Sequence, residues 1–390
     1  MKQYLAILAL MVAGVIRLCA ETALSDPRLR DDFVTASLLM VTPGERVYQA
    51  FGHAAIRMEC PSEGLDYVFT FESGVGPNLP AEFARGMDAR FIAVETPEFI
   101  DGFRKEGRGI YSYRLNLSPV QKQELWRVLD ERLQSEMLDI DIRRTNCLSS
   151  LFAAVQEAAE EEAVDVRGSE IAGMSNGEYF EVLTGENYPW AELLFKSLYG
   201  AQSDECDEVL VRTSPVSFMR EHDRFRIGDR RLTEDSTVLL KERKTGSAGA
   251  VTPVAVCIVL AALLMLSAIL RVSGRWRTLR IAMETVALTI IAAAGCLEMF
   301  LTLFPWRIGS AWSWSYLVCN PVAPALLLLF RHRRKAYMGT LLAWGSLCMI
   351  YALFGRMITS EATDAVRILA LAIGIWGLAS ALVARRRRSC

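Results

Sequence analysis

Arg143-Arg144-Thr145-Asn146-Cys147-Leu148-Ser149-Ser150 places a cysteine at the first turn of a helix. Asn146 is a good N-cap, because its side-chain oxygen accepts from amides that a first turn leaves without partners. Beyond it Leu148, Leu151, Phe152 and Val155 recur at three-and-four spacing, which predicts an amphipathic helix. Cys147 therefore sits where free amides and the positive helix end favour a thiolate, and Arg143 and Arg144 act in the same direction. A nucleophilic thiol also needs a base. The chain has 3 histidines, of which only His53 and His222 precede the apolar C-terminal half.

The 390 residues are 52% hydrophobic with a formal net charge of -2. Without a basic excess, nucleic-acid binding is not expected. Residues 1–20 read as a secretory signal: Lys2 is the positive end, Tyr4 to Ile16 the apolar run, and Ala20 the small residue before a cut. Arg17 interrupts that pattern, so an uncleaved anchor is the alternative, and Arg17-Leu18 before Cys19 fits a lipobox poorly. Export places the following segment in an oxidising space, where Cys60, Cys147 and Cys206 have two solutions. Either Cys60 pairs with Cys206 and leaves Cys147 free, or all three are thiols.

The segment 21–240 mixes strand and helix patterns. Leu38 to Val41 reads as a strand ending at Thr42-Pro43-Gly44. Tyr48 to Met58 reads as a second, entered through Gly52, and Tyr67 to Glu72 returns from the turn at Cys60 to Gly64. Period two puts Asp66, Val68, Thr70 and Glu72 on one face. Pro80 to Met87 suits a short helix, while Phe91 to Val94 and Gly109 to Leu117 suit strands. Ser118-Pro119-Val120-Gln121 is a capping box with proline in the first turn, and Leu125, Leu129 and Leu133 give its helix a buried stripe. Tyr188-Pro189-Trp190 leads into a helix over Ala191 to Leu198. Residues 241–250 are charged, then small, and read as a linker.

From 251 to 390 the chain is of a different kind. Five apolar runs, near 251–270, 282–304, 312–330, 337–355 and 366–384, each reach the ~20 residues that cross a bilayer. Arg271, Arg275, Arg277 and Arg280 follow the first run, Arg331 to Lys335 the third, and Arg385 to Arg388 the last. These clusters alternate with weakly charged connections, so the basic ends are expected in the cytoplasm and segment 21–240 in the periplasm of an inner membrane. Glu284 and Glu298 lie toward helix ends, where snorkelling to the headgroups is expected. Few polar groups and no repeat leave little from which to build a transport path.

Phe51-Gly52-His53-Ala54-Ala55-Ile56-Arg57, Phe83-Ala84-Arg85-Gly86, Gly107-Arg108-Gly109, Leu115-Asn116-Leu117-Ser118 and Asn146-Cys147 occur in the order of the Lnb-type N-terminal periplasmic domain family, which residues 35–235 resemble. The five-run tail also resembles the Lnb-like five-helix transmembrane domain. That family in turn resembles the circularly permuted NlpC/P60 group of papain-like thiol enzymes. The resemblance implies an α+β papain-like periplasmic domain joined to an all-α five-helix membrane domain. It also implies that His53 points from a small antiparallel sheet at the sulfur of Cys147. Thr70 stands where many relatives have the asparagine that orients the histidine, with Glu72 on the same face as a substitute. Leu148-Ser149-Ser150 follows the cysteine where Ser-Thr-Arg-like residues are commoner.

On this reading Cys147 is the nucleophile, His53 its base, and Thr70 and Glu72 the orienting groups. Asn146 and Tyr48 are candidates for contact with substrate. The expected activity is hydrolysis or transfer of an amide or ester at or near the membrane, with a lipid-linked acyl compound or a cell-wall peptide as substrate. The alternative is a non-catalytic helper that binds and matures exported proteins. His53, Cys147 and Cys206 lack ligand spacing, so neither a metal nor a cofactor is expected.

Overall fold

The computed structural model describes residues 28, 30, 33–73, 88–135, 138–139, 145–184, 187–206, 213–243, 251–273, 276–303 and 312–389. The expected signal segment, the short helix over Pro80 to Met87, Arg143 and Arg144 all lie outside these residues, as does most of the linker.

Seven strands form one antiparallel sheet. In chain order they are β1 (Thr35–Val41), β2 (His53–Cys60), β3 (Leu65–Ser73), β4 (Asp88–Glu95), β5 (Ile110–Leu115), β6 (Leu138–Asp139) and, after a break, β10 (Thr233–Leu240), arranged β10-β5-β1-β2-β3-β4-β6. The second strand begins at His53, not Tyr48, because Val47–Gln49 is a 3-10 turn and Gly52 takes φ 77°. A Cβ at Gly52 would stand 2.6 Å from the carbonyl oxygen of Val41. Only glycine enters this strand without a clash.

Alternation along the strands divides the core. Leu38, Met40, Ala54, Ile56, Met58, Phe69 and Phe71 face one side, where they bury α2 (Pro119–Leu133) and α3 (Cys147–Ala158). Leu39, Val41, Ala55, Val68 and Ile110 face the other, against Phe99, Ile100 and Phe103 of α1 (Thr96–Glu106). The capping box at Ser118 forms in both directions, and Asn146 makes a second with Ser149. Helix α1 was not apparent in the residue pattern, although Pro97 in its first turn and Gly107 in the left-handed region past its end are start and stop signals. Strand β10 is exposed along most of its length and carries little hydrophobic alternation, so it too lacked a signal.

A second sheet, β7 (Val164–Val166), β8 (Phe225–Ile227) and β9 (Arg230–Arg231), closes one end of the α2 side. Helices α4 (Asn176–Thr184), α5 (Pro189–Tyr199) and α6 (Pro215–Glu221) complete the domain. Phe180, Phe195, Leu198 and Tyr199 form a separate cluster that Phe51 joins from the turn before His53 and Phe300 joins from the apolar helices. This α4–α5 unit docks the sheet domain onto the helical region. Ala201 donates to the carbonyl of Trp312 at 2.7 Å, Ser360 donates through its amide to Asp204 at 2.6 Å, and Trp190 donates to the carbonyl of Val251 at 2.7 Å.

Among the described residues, five segments are long and apolar enough to span a bilayer: Pro253–Arg271, Arg277–Phe300, Trp314–His332, Arg334–Ile358 and Asp364–Val383. They comprise α7 (Pro253–Ser273), α8 (Arg277–Leu303), α9 (Val322–Leu329) with flanking 3-10 turns, α10 (Arg334–Ile358) and α11 (Asp364–Ser389). The third is broken before Pro321, whose ring cannot continue a helix from the preceding turn. Glu284 and Glu298 do not snorkel: they are 5% and 7% exposed. Glu284 is bonded by Arg271 at 2.7 Å and by Arg280 at 3.2 Å, so its charge is neutralised inside the bundle. Glu298 accepts from Ser313 and Ser315, and Ser313 also reaches Glu361 in the turn between the last two helices. The Arg271–Glu284–Arg280 group and Arg331 lie at the bundle end opposite Trp312 and Ser360, where the sheet domain docks.

Candidate functional site

The open end of β2 gathers the site. His53 is its first residue, and alternation puts the ring on the α1 face, beside Phe103 at 6.1 Å between ring centroids. Nε2 lies 2.7 Å from Thr70 Oγ1, and Thr70 donates to Glu72 Oε1 at 3.5 Å. Glu72 Oε1 is itself 3.6 Å from Nε2. The three residues that period two and resemblance singled out therefore form one chain of contacts. Thr70 is completely buried, so its hydroxyl has few other partners to choose.

Cys147 enters from the other face. Helix α3 packs on Ala54, Ile56 and Met58 of the same strand, which sets its N-terminus at the strand end where the two faces meet. The Cys147 side chain packs against the core cluster that includes Ala54, next to His53, and the amides of Ala54, Leu148 and Cys147 favour the charged sulfur. Asn146 Oδ1 takes the Ser149 amide at 3.0 Å, and its Nδ2 donates to Thr213 at 3.2 Å. Both ends of that side chain are engaged in fixing the helix start. Tyr48 is 47% exposed and its hydroxyl accepts from Arg46 at 2.6 Å, without a hydrogen bond to His53, Thr70 or Cys147. The second soluble-domain histidine, His222, packs against Tyr113.

No hydrogen bond joins the imidazole and the sulfur directly; what they share is Arg108. Its charge acts on both, and its side chain is only 5% exposed. Nε donates to the carbonyl of Thr42 at 2.7 Å, Nη1 donates to Glu106 at 3.3 Å, and the guanidinium lies 4.9 Å from the centre of the Phe103 ring. The motif Gly107-Arg108-Gly109 does not by itself assign Arg108 a role. An arginine between two glycines, just before a strand of the same sheet, is the signal that could have marked it.

Electrostatics set the resting protonation. Burial, then the neighbouring Arg108, pushes His53 down to about 4. Burial pushes the Cys147 thiol up to about 11, against the three amides and Arg108. The thiolate expected at a helix start is thus overruled by desolvation, which costs the charged form more than that helix end returns. Glu72 is raised by burial and by the charge of Glu106, while Thr70 holds it down. At neutral pH His53 is therefore a neutral imidazole and Cys147 a thiol.

Cys60, Cys147 and Cys206 are all free, so the proposed Cys60–Cys206 bridge is not made and the three-thiol solution holds. Cys60 is buried beside Ser62, while Cys206 is exposed and directed at the carbonyl of Gly173. Among the described residues no group of three or more His, Cys, Asp and Glu side chains could hold a metal ion.

Residues 28–170 match the model of the family described as the Lnb N-terminal periplasmic domain. The match takes in β1 to β7 with His53, Thr70, Glu72, Arg108 and Cys147. Neither the comparison with curated proteins nor that with solved structures gave a match. The chain is similar over this segment to the Lnb periplasmic domain, and with the five apolar helices that follow it is a membrane protein carrying a periplasmic domain.

Proposed function

We propose that the protein is a membrane-anchored periplasmic thiol enzyme that hydrolyses or transfers an acyl group, with Cys147 as nucleophile and His53 as base. The observation that carries this reading is the convergence at the end of β2. There the helix that begins with Cys147 packs on the strand whose first residue, His53, offers an imidazole braced by Thr70 and Glu72. If Thr70 donates its single proton to Glu72, it accepts one from His53 Nε2, which leaves Nδ1 as the basic nitrogen. In the attack the thiol proton passes to Nδ1, sulfur bonds to the substrate carbonyl carbon, and the oxygen takes the charge. The amides of Cys147 and Leu148, in the first turn that Asn146 opens, would receive that oxyanion. Collapse expels the amine or alcohol with the proton from His53, and water or an acceptor then resolves the thioester.

The proposed division is a signal over 1–20, a papain-like periplasmic domain over 21–240, a linker over 241–250 and a membrane domain over 251–390. The basic clusters put the C-terminus in the cytoplasm. Contact of the α5 unit with the bundle holds the site near the bilayer, which favours a substrate held at the membrane, a lipid-linked acyl compound before a wall peptide.

One observation favours a second reading. A raised thiol and a depressed imidazole without a bond between them also suit a packed pair in a non-catalytic helper that docks exported proteins. Incubating the full chain in detergent with acyl-lipid or acyl-peptide donors separates the two. The enzyme reading expects a hydroxylamine-labile acyl adduct at Cys147, absent from Cys147→Ser and His53→Ala. No adduct from either donor class, together with a cellular phenotype unaltered by Cys147→Ala but lost on deleting residues 21–245, would favour the helper.

A further inference from the structure

Arg108 is built more expensively than a structural arginine requires. Two of its nitrogens are satisfied, Nε by Thr42 and Nη1 by Glu106, and the plane lies on Phe103. The third, Nη2, is sealed from solvent and has no hydrogen-bond partner among the described residues. A buried donor on a fixed cation is destabilising when left unmade, and folded proteins avoid leaving one. Arg108 also lines a cavity of about 90 Å³ with Arg104, Lys241 and Arg243, of which Arg104 is paired with Asp101. At about 30 Å³ per water, that is room for one small oxyanion. Glu106 is the opposing carboxylate nearby, and it occupies only Nη1.

We propose that Arg108 is the anion-binding residue of the thiol site, taking a carboxylate or phosphate oxygen of the substrate on Nη2 and so selecting acyl compounds that carry a negative group beside the reacting carbonyl. The inference rests on the thiol-enzyme reading and names its substrate class. Guanidinium forks suit both oxyanions, because two parallel N–H donors match their geometry. Arg108 then has two tasks. It holds the substrate's charge, and its own charge lowers the cost of negative charge arriving at the sulfur.

Two small alkylating reagents of nearly equal size test this without knowledge of the substrate: iodoacetate, which is anionic, and iodoacetamide, which is neutral. The rate ratio at Cys147 is measured near pH 9 by peptide mass spectrometry on the full chain in detergent, with the exposed Cys206 as internal reference. The ratio at Cys147 is expected to exceed that at Cys206 by about tenfold, the effect of one close opposite charge. It should fall to the Cys206 value in Arg108→Gln and stay high in Arg108→Lys. Equal ratios at the two cysteines in the native chain overturn the proposal even if the variants fail to fold, and so does a Cys147 that takes neither reagent. Slowing of the iodoacetamide reaction by inorganic phosphate or by acetate supports it and tells the two oxyanions apart; protection by neither overturns it. An intact ratio with no acyl adduct would sink the enzyme reading alone, whereas an adduct with a flat ratio would sink only the role of Arg108.

Discussion

The Nε2 atom of His53 sits 2.7 Å from Thr70 Oγ1, across a single strand pairing of the sheet. That contact orients the ring, and the hydroxyl in turn leans on Glu72. Thr70→Val keeps the shape and removes the acceptor. Acyl-adduct formation is expected to fall on the order of 10²-fold, the cost of a displaced catalytic group. Thr70→Asn restores an acceptor and should recover most of the rate. Equal rates in all three proteins would separate Thr70 from the chemistry.

Stability should respond to pH at both ends of the scale. His53 titrates at about 4 in the folded chain against 6.5 for the free group. As pH falls from 6.5 toward 4 the unfolded chain binds a proton that the native ring refuses, so stability drops by up to about 3 kcal/mol, less to the extent that 17% of the side chain stays exposed. Cys147 gives the opposite limb: between 9 and 11 the unfolded thiol ionises first, and stability drops as pH rises. Denaturant melts of native, His53→Gln and Cys147→Ser chains should show each substitution flattening its own limb only.

Gly52 and Gly64 both take positive φ, yet they predict different outcomes. At Gly64 an added Cβ meets nothing within 4 Å, so Gly64→Ala costs about 1 kcal/mol of backbone strain. At Gly52 the same atom would strike the Val41 carbonyl, so Gly52→Ala should lose roughly 2 kcal/mol more and displace His53 from Thr70. Comparing the two melting temperatures checks the difference, and equal shifts would count against it.

Inside the bundle, Glu284 is the shared ion-pair partner of Arg271 and Arg280. Glu284→Ala leaves two cations without their shared partner and should cost about 3–5 kcal/mol, the usual effect of breaking a buried ion pair from one side. Thermal melts in detergent would show it as a large fall. A shift no greater than that of a surface glutamate such as Glu131 would mean that the carboxylate is solvated after all.

Local chemistry wrote much of this protein plainly. Asn146 and Ser118 announced their helices because a short polar side chain can satisfy first-turn amides whatever surrounds it. Apolar runs announced the five spans because a bilayer demands length and composition alone. The helix from Thr96 carries only its end signals, Pro97 and Gly107, because the rest of it is held by packing on Leu39, Val41 and Ala55, residues distant in the chain. Period two put Thr70 and Glu72 on one face, and pairing of β2 with β3 then brought that face to His53.

Which side chains meet, and at what charge, belonged to the tertiary structure. A cysteine at a helix start reads as acidic when only its own helix is considered; packing α3 on β2 strips water from the sulfur, and desolvation reverses the sign. Glu284 and Glu298 look bound for the headgroups until the cations and hydroxyls of other helices are folded around them. Arg108 acquired significance only when Thr42, Glu106 and Phe103 closed about it and left one nitrogen unmatched. Sequence determines what local geometry and solvent can enforce over a few residues. Burial is a property of the whole fold, and it decides every charge that matters at this site.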